Sequence, residues 1–377
     1  MGSTSKLKIW VMTNEFQPAI IGGLGTVATQ LTKMLSKIGA NVTVLCPGNS
    51  NRLTISNPNG NLRILRFPKS PRYFNRAKKS FKAEAIMRIA SAEKLVKPDI
   101  IHVHSIEFAD TAKMAGDRFG LPIVYTCHSL ASRGNASPHG KNQAKLIRTA
   151  RRIVVPSRWQ ADVTKRLYSG LKGSKMAVIP HGVTPVSNHS TGAPHKLLYV
   201  GRLIPSKGIE PLIKAVPLLS REKRQVHLTI IGSGKASYRS KLRTLARQSG
   251  ALKRIRWVEK KPHETVQRMY GSYGAVIIPS KEESFCMVAL EAMANGVPLI
   301  STLSGGLKEF VNTRNAQVIH SIDSVHIARA IKSFWNNPSQ SRKRAVNARA
   351  TAALYRWPVI AHKYLSLFSN LKKGGPT

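Results

Sequence analysis

The stretch Ala275-Val276-Ile277-Ile278-Pro279-Ser280-Lys281-Glu282-Glu283-Ser284-Phe285-Cys286-Met287-Val288-Ala289-Leu290-Glu291-Ala292-Met293-Ala294 decides the fold. Its opening apolar run has the length and β-branched character of a buried strand. From Phe285 onward the apolar residues recur at helical spacing, which predicts a helix starting just after Glu283. Eight residues of helix rise about 12 Å, roughly the reach of a nucleotide sugar from ribose to hexose. The backbone N–H groups of Phe285, Cys286 and Met287 would lie between the two carboxylates, where a helix N-terminus favours an anion. One motif thus offers acceptors for two sets of sugar hydroxyls and a seat for phosphate between them. Two solvated surface glutamates are the plain alternative. Against it, the chain holds only 17 Asp plus Glu, yet Glu282, Glu283, Glu291 and Glu309 all fall in this neighbourhood.

Outward from this stretch the chain reads as two alternating series of strands and helices. Short apolar runs at residues 8–13, 42–46, 100–104, 123–127, 153–156 and 177–180 are separated by helical or loop segments, as a parallel sheet requires. Residues 186–194 are polar and rich in turn formers, and read as a linker. A second series follows at 196–200, 227–231, 254–258, 275–279 and 298–301. The expected fold is α/β, with two doubly wound Rossmann-like domains facing a cleft and ligands at the carboxyl ends of the strands. The expected division is 1–185, 186–352, and a C-terminal helix at 353–377 returning to the first domain.

With 377 residues, 42% of them hydrophobic, the chain has core enough for two domains. No apolar stretch approaches a membrane span, and the first residues lack the apolar core of a signal peptide, so a cytoplasmic location is expected. Cys46, Cys127 and Cys286 are odd in number and without metal spacing, and read as reduced thiols. The net charge of +43 is shared by both halves. Such a field suits anionic partners, including non-specific polyanions. The most concentrated basic segment, residues 69–82, interleaves Lys69, Arg72, Arg76, Lys78, Lys79 and Lys82 with Tyr73, Phe74 and Phe81. That pattern fits either a solvated loop or a peripheral contact with an anionic membrane surface on the inner face.

Further candidates sit at strand ends. Arg202 follows the run 196–200 and Lys207 stands where the next helix begins, so both can direct positive charge at phosphate oxygens. Gly22 and Gly23 open a helix, and residues 23–28 formally match the dinucleotide fingerprint G-x-G-x-x-A, which raises a dehydrogenase as a rival class. The long loop before the glycines, and Cys46 where an acid should meet a ribose, weaken that rival. A bare backbone approaching a phosphate or a sugar fits better. His128 ends the run 123–127 and can reach the crevice, whereas His102 and His104 read as crevice wall or core.

These residues together resemble glycosyltransferase family 4. The resemblance rests on Glu15-Phe16-Gln17-Pro18 with Gly22-Gly23, on residues 98–104 and 178–183, on the Gly201 to Gly208 segment, on Pro279-Ser280, on the glutamate pair, and on Gly305-Gly306 with Glu309. It implies a retaining, metal-independent transferase of GT-B fold, with no cofactor beyond a nucleotide-sugar co-substrate. It further implies a catalytic set of His128, Glu283, Arg202 and Lys207. Arg202 and Lys207 would bind the donor diphosphate, Glu283 the donor sugar and Glu291 the ribose. Backbone groups of Phe285, Cys286 and Met287 would touch sugar and phosphate, His128 would line the sugar site, Gly22 and Gly23 would let backbone approach the diphosphate, and the base would lie near Lys260. A UDP-sugar is the favoured donor of a hexosyl or N-acetylhexosaminyl group, and the acceptor is unknown. The chain departs from the pattern at Cys286, where relatives carry Gly, at His181 in place of Asn, at Ile20 where glycogen synthases place Lys, and at Glu259 in place of Gly. A polyanion- or nucleic-acid-binding protein on an inactive transferase scaffold is the rival reading that the charge motivates.

Overall fold

The computed structural model describes residues 6–131, 137–184, 192–219 and 225–374, so the N-terminal five residues and most of the expected linker lie outside the described residues. The chain divides into two compact units, Met1–Gly182 with Trp357–Thr377, and Val183–Arg356.

The first unit is built on an eight-stranded sheet. Its strands are β1 (Lys8–Met12), β2 (Asn41–Gly48), β3 (Thr54–Asn59), β4 (Leu62–Pro68), β7 (Ile100–Val103), β8 (Ile123–Thr126), β9 (Arg152–Val155) and β10 (Met176–Val178), with a separate hairpin of β5 (Phe74–Asn75) and β6 (Ser80–Phe81). The order is β10-β9-β8-β7-β1-β2-β4-β3. Every pair is parallel except β3 with β4. The chain moves outward from β1 on one side, returns, and moves outward from β7 on the other, so the order reverses between β1 and β7. Continuous runs such as Ile-Ile-His-Val and Ile-Val-Tyr-Thr are buried along their whole length, as strands covered on both faces must be.

The boundaries of the expected strands agree with the structure within two residues, but β3, β4, the short hairpin strands β5 and β6, and in the second unit the two-residue strand Gln317–Val318 have no counterpart in the expected series. Thr54–Asn59 is exposed along almost its whole length and contains Pro58, so it carries no apolar signal; it survives by antiparallel pairing on the sheet edge, where a proline is tolerated.

The basic segment 69–82 sorts its residues by side-chain type. Tyr73, Phe74 and Phe81 turn inward: Phe81 packs on Phe67 at 5.2 Å and on Phe108 at 4.4 Å between ring centroids, and Phe74 on Phe81 at 5.1 Å. Phe81 is core, Tyr73 and Phe74 are half-buried against it, and Lys69, Arg72, Arg76, Lys78, Lys79 and Lys82 are exposed. Among the described residues no helix is long and apolar enough to cross a membrane.

The second unit has a six-stranded, wholly parallel sheet of β11 (Lys196–Val200), β12 (His227–Ile231), β13 (Ile255–Val258), β14 (Ala275–Ile278), β15 (Leu299–Ser301) and β16 (Gln317–Val318). The order is β13-β12-β11-β14-β15-β16, so here the reversal falls between β11 and β14.

The last helix, Trp357–Lys372, belongs to the first unit, where it packs on the helix Gly23–Lys37 and buries Trp357, Tyr364 and Phe368. Gly182 lies under the Trp357 indole, and a Cβ there would stand 2.5 Å from two ring atoms. Gly182→Ala should therefore overpack this contact and lower stability by roughly 1–3 kcal/mol. Urea unfolding followed by tryptophan fluorescence measures it, and an unchanged midpoint would show that the indole moves aside freely.

Candidate active site

In the second unit the loops that follow β11, β12, β14 and β15 meet backbone to backbone. Gly208 has φ 67°, and a Cβ on it would lie 1.9 Å from the Pro279 carbonyl oxygen. Gly305 has φ 58°, and its Cβ would lie 2.2 Å from the Glu283 carbonyl oxygen, which the Gly306 N–H holds at 2.8 Å. Only glycine combines that backbone region with that approach. Gly232-Ser233-Gly234 adds a third contact, with Leu203 N donating to Ser233 O at 2.8 Å. The Lys281 N–H reaches Ser206 O at 2.8 Å and ties the β11 and β14 loops at the reversal of strand order, where doubly wound sheets bind ligands.

These loops bring together most of the expected residues of this unit. Lys207 Nζ stands 2.6 Å from Glu283 Oε1, and the Ser280 hydroxyl donates to the same oxygen at 2.8 Å. The two side chains are only 17% and 10% exposed, so this is a largely desolvated pair. Arg202 is exposed; its carbonyl accepts from the Tyr199 hydroxyl at 3.1 Å, and among the described residues its guanidinium makes no ion pair. A fixed carboxylate, a part-buried ammonium and an open guanidinium thus line one edge of the sheet. Lys260 lies in the loop after β13, exposed, beside Glu259, which pairs with Arg239 at 3.6 Å.

Glu291 is held differently. At 5% exposure, it accepts from His263 Nε2 at 2.8 Å on one oxygen and from the Tyr270 hydroxyl at 2.9 Å on the other. Each carboxylate oxygen can take a second donor, so half of its acceptor capacity is already used. Burial pulls His263 down, but the hydrogen bond and charge of Glu291, with Glu264, outweigh it and leave the imidazole above its ordinary value.

The helix of the opening stretch starts later than its spacing suggests. It runs Met287–Ala294, and Cys286 before it has φ 81° and ψ 82°. The left-handed turn interrupts the helix, so Glu283 lies four residues ahead of its first turn, and the 12 Å reckoned for eight helical residues does not apply. The side chain of Phe285 is core, 4.8 Å from Phe310 between ring centroids, which leaves its backbone for any ligand contact. The Cys286 backbone region explains why glycine suits this position. Burial, then the Glu283 charge, raises the Cys286 thiol well above its ordinary value. Cys46 and Cys127 are buried free thiols, raised by burial to about 12 and about 11.

In the first unit, Gly22 precedes the helix Gly23–Lys37, exposed and with open space where a Cβ would stand. The steric demand falls on Gly25, whose Cβ would lie 2.6 Å from Glu15 Oε2. That oxygen accepts from the Ile21 and Gly22 N–H groups at 2.8 and 3.0 Å, so an internal carboxylate already sits on these loop amides. His128 joins a histidine stack. His104 Nδ1 is 2.9 Å from His128 Nε2, the His128 and His181 rings lie 5.2 Å apart, and His102 Nε2 meets Thr126 Oγ1 at 2.8 Å. Burial first, then His104 and His181, holds His128 well below its ordinary value, and burial takes His102 and His181 to about 3. All four rings are neutral near pH 7. Among the described residues no group of His, Cys, Asp and Glu is arranged to hold a metal ion.

Sequence reasoning singled out Ser280 without its hydrogen bond to Glu283, and missed the Gly232-Ser233-Gly234 loop, the His263 and Tyr270 partners of Glu291, and the clamp by Glu15. The Gly-Ser-Gly directly after an apolar strand was the one local signal.

Two outcomes follow from this geometry. Cys286→Gly relieves a left-handed residue and should stabilise the protein by about 1 kcal/mol, read as a raised urea midpoint; a lowered midpoint would mean that the thiol's packing outweighs the strain. Because the folded state raises the His263 pKa, the stabilisation it contributes is complete below its ordinary value near 6.5 and is lost as pH rises through the folded value. Unfolding free energy should therefore fall between pH 6 and pH 8.5 by more in the native protein than in His263→Gln. Parallel pH profiles would refute the coupling.

The family models extend these observations over the chain. "Glycosyltransferase Family 4" matches residues 21–186 and "Glycosyl transferases group 1" matches residues 185–351. A glycogen synthase of Mycobacterium tuberculosis is 27% identical, over 98% of this chain and 96% of the relative. Among solved structures, the sucrose-phosphate synthase of Thermosynechococcus elongatus superposes with TM-score 0.82 at 22% identity, covering 98% of this chain and 100% of the other. Anabaena HepE in complex with UDP-glucose superposes with TM-score 0.75 at 18% identity, covering 97% and 100%. With two Rossmann-like domains and glycosyltransferase models matching both halves in succession, the chain is a glycosyltransferase of GT-B fold.

Proposed function

We propose that the protein moves a hexosyl or N-acetylhexosaminyl group from a nucleotide sugar to an acceptor with retention of configuration and without a metal ion. The observation that carries this is the Lys207–Glu283 pair at the reversal of strand order, with the exposed Arg202 on the same loop as Lys207 and the loops fixed by glycine contacts.

The open Arg202 fork takes two diphosphate oxygens, and Lys207 adds a point charge beside it. Both stabilise the negative charge that develops as the sugar–phosphate bond breaks, and they are in place before the reaction starts. Glu283, oriented by Lys207 and the Ser280 hydroxyl, accepts hydrogen bonds from the donor sugar. The Cys286 side chain beside it narrows the space there. Glu291 keeps one acceptor site per oxygen for ribose hydroxyls while His263 and Tyr270 hold its geometry. His128 is assigned to the donor sugar as a neutral imidazole, a group that hydrogen-bonds a hydroxyl without opposing positive charge on the sugar carbon. Phosphate departs on the face where the acceptor attacks and takes its proton. UDP is the preferred base; the UDP-glucose complex of HepE supports that choice.

Thermal denaturation against UDP-, GDP- and ADP-sugars, each in EDTA, tests the reading. At about a hundred times its Kd, the correct donor should stabilise the protein by roughly 2.7 kcal/mol, with Arg202→Ala abolishing the shift. No shift with any nucleoside diphosphate or its sugar would overturn it, and a shift seen only with added Mg²⁺ would overturn the metal-free part.

A further inference from the structure

The first unit carries a groove of about 1020 Å³ at the end of its sheet opposite His128. Its wall includes Ile123 and Arg152, the first residues of β8 and β9, whereas His128 follows the last residue of β8. The strands are parallel, so the groove and the histidine stack occupy opposite edges. The candidate residues of the first unit therefore play no part in it.

Five cations line the groove, Arg148, Arg151, Arg152, Lys172 and Lys175, and no carboxylate does. Lys175 is committed: its ammonium donates to the Ile147 and Arg148 carbonyls at 2.9 and 2.7 Å, closing the end of the helix Pro138–Thr149. Burial and the neighbouring Arg151 charge both pull Lys175 down. Among the described residues the side chains of Arg148, Arg151, Arg152 and Lys172 form no ion pair. Arg152 Nη1 is buried and has no acceptor. Like charges crowded in one groove without a carboxylate oppose one another, so an anion that enters is favoured. The floor is apolar. Ile123, Ile147 and Leu171 contribute to it, and Leu167, 55% exposed, stands on its rim. Inorganic phosphate would leave that apolar surface uncovered.

We infer that this groove binds an organic phosphate, its phosphoryl group on Arg151 and Arg152 and its apolar or ring-shaped body on the floor between Ile147 and Leu171. The site is separate from the proposed donor site and stands whether or not that assignment holds. The groove is large enough for a small organic molecule and offers it apolar surface and cations side by side.

The protein's general positive field is the obvious confounder, so the test is built around it. Binding of 1-naphthyl phosphate to the full chain is measured by fluorescence at physiological ionic strength, with inorganic phosphate, 1-naphthol and phosphatidylglycerol vesicles as separate arms. Naphthyl phosphate should bind at least tenfold more tightly than either fragment. The rim variant Arg148→Glu/Arg151→Glu/Lys172→Glu should weaken it tenfold or more, and Arg152→Gln should weaken it with an unchanged fold by circular dichroism. The same number of reversals elsewhere on the unit, Lys69→Glu/Arg76→Glu/Lys78→Glu, and Arg202→Ala should each leave it within twofold. Equal losses in the rim and control variants would reduce the effect to bulk charge and overturn the inference. Loss in Arg202→Ala alone would place the probe in the donor site and overturn it too. Binding to vesicles with none to naphthyl phosphate would replace the pocket by a membrane-facing surface.

Discussion

Backbone contact without room for a Cβ is the constraint on which the second unit depends. The Gly208, Gly232 and Gly305 positions each lie within 2.2 Å or less, at the Cβ, of a carbonyl oxygen on a neighbouring loop. Side chains could not substitute for these contacts, because a side chain relaxes through rotamers whereas a carbonyl on a strand end cannot move without the sheet. The loops after β11 and β14 are therefore positioned as rigidly as the strands, and the Lys207–Glu283 pair inherits that rigidity. A site built this way has its charges oriented in advance of any ligand, the condition under which electrostatic stabilisation is most effective.

The two glutamates of the helix region solve the burial of a carboxylate in different ways. Glu283 is balanced by a full positive charge and a hydroxyl, Lys207 and Ser280, and stays near the open edge of the sheet. Glu291 is deeper, and it is balanced by dipolar donors, with His263 able to add charge as pH falls. A buried charge is tolerated only where such partners are complete. The difference matches the work proposed for each: the first must respond to chemistry beside it, whereas the second need only hold a neutral sugar. The histidine stack of the first unit follows the same logic in reverse, since four imidazoles in a row, His102 on His104 and both His104 and His181 on His128, cannot all be charged and burial keeps them neutral.

The alternating parallel strands were legible because each is a short, continuous apolar run ending at a turn residue, a pattern that both-face burial imposes on the sequence itself. The β3 edge strand was not, because its neighbours cover neither face and its composition is free to be polar. Arg202 was legible as a strand-end residue and Lys207 and Glu283 as residues at helix starts, whereas the pairing of Lys207 with Glu283 follows from a sheet order that local periodicity does not encode. The late start of the helix at Met287 was hidden by a left-handed Cys286, since a non-glycine residue announces no such turn. The partners of Glu291 were hidden for a simpler reason: His263 and Tyr270 lie 28 and 21 positions away and act through tertiary contact alone.

Several of the few acids are structural commitments. Asp99 accepts from the Lys8 N–H at 2.8 Å and pairs with Lys372 at 3.0 Å, tying the first strand to the last helix. Asp323 caps the helix Ser324–Asn336 through the His326 N–H, which with its other partners lowers its pKa to about 2. Glu15 closes the glycine loop. With so few carboxylates, a net charge of +43 cannot be balanced within the molecule and must be balanced by ions around it. At physiological salt the screening length is about 8 Å, so most of the sixty Lys and Arg residues cannot reach a diphosphate seated at the β11 and β14 loops. The bulk charge raises the encounter rate with every anion alike. Selection among anions falls to the few cations whose positions the backbone fixes, and in the second unit Arg202 and Lys207 stand where the sheet order reverses.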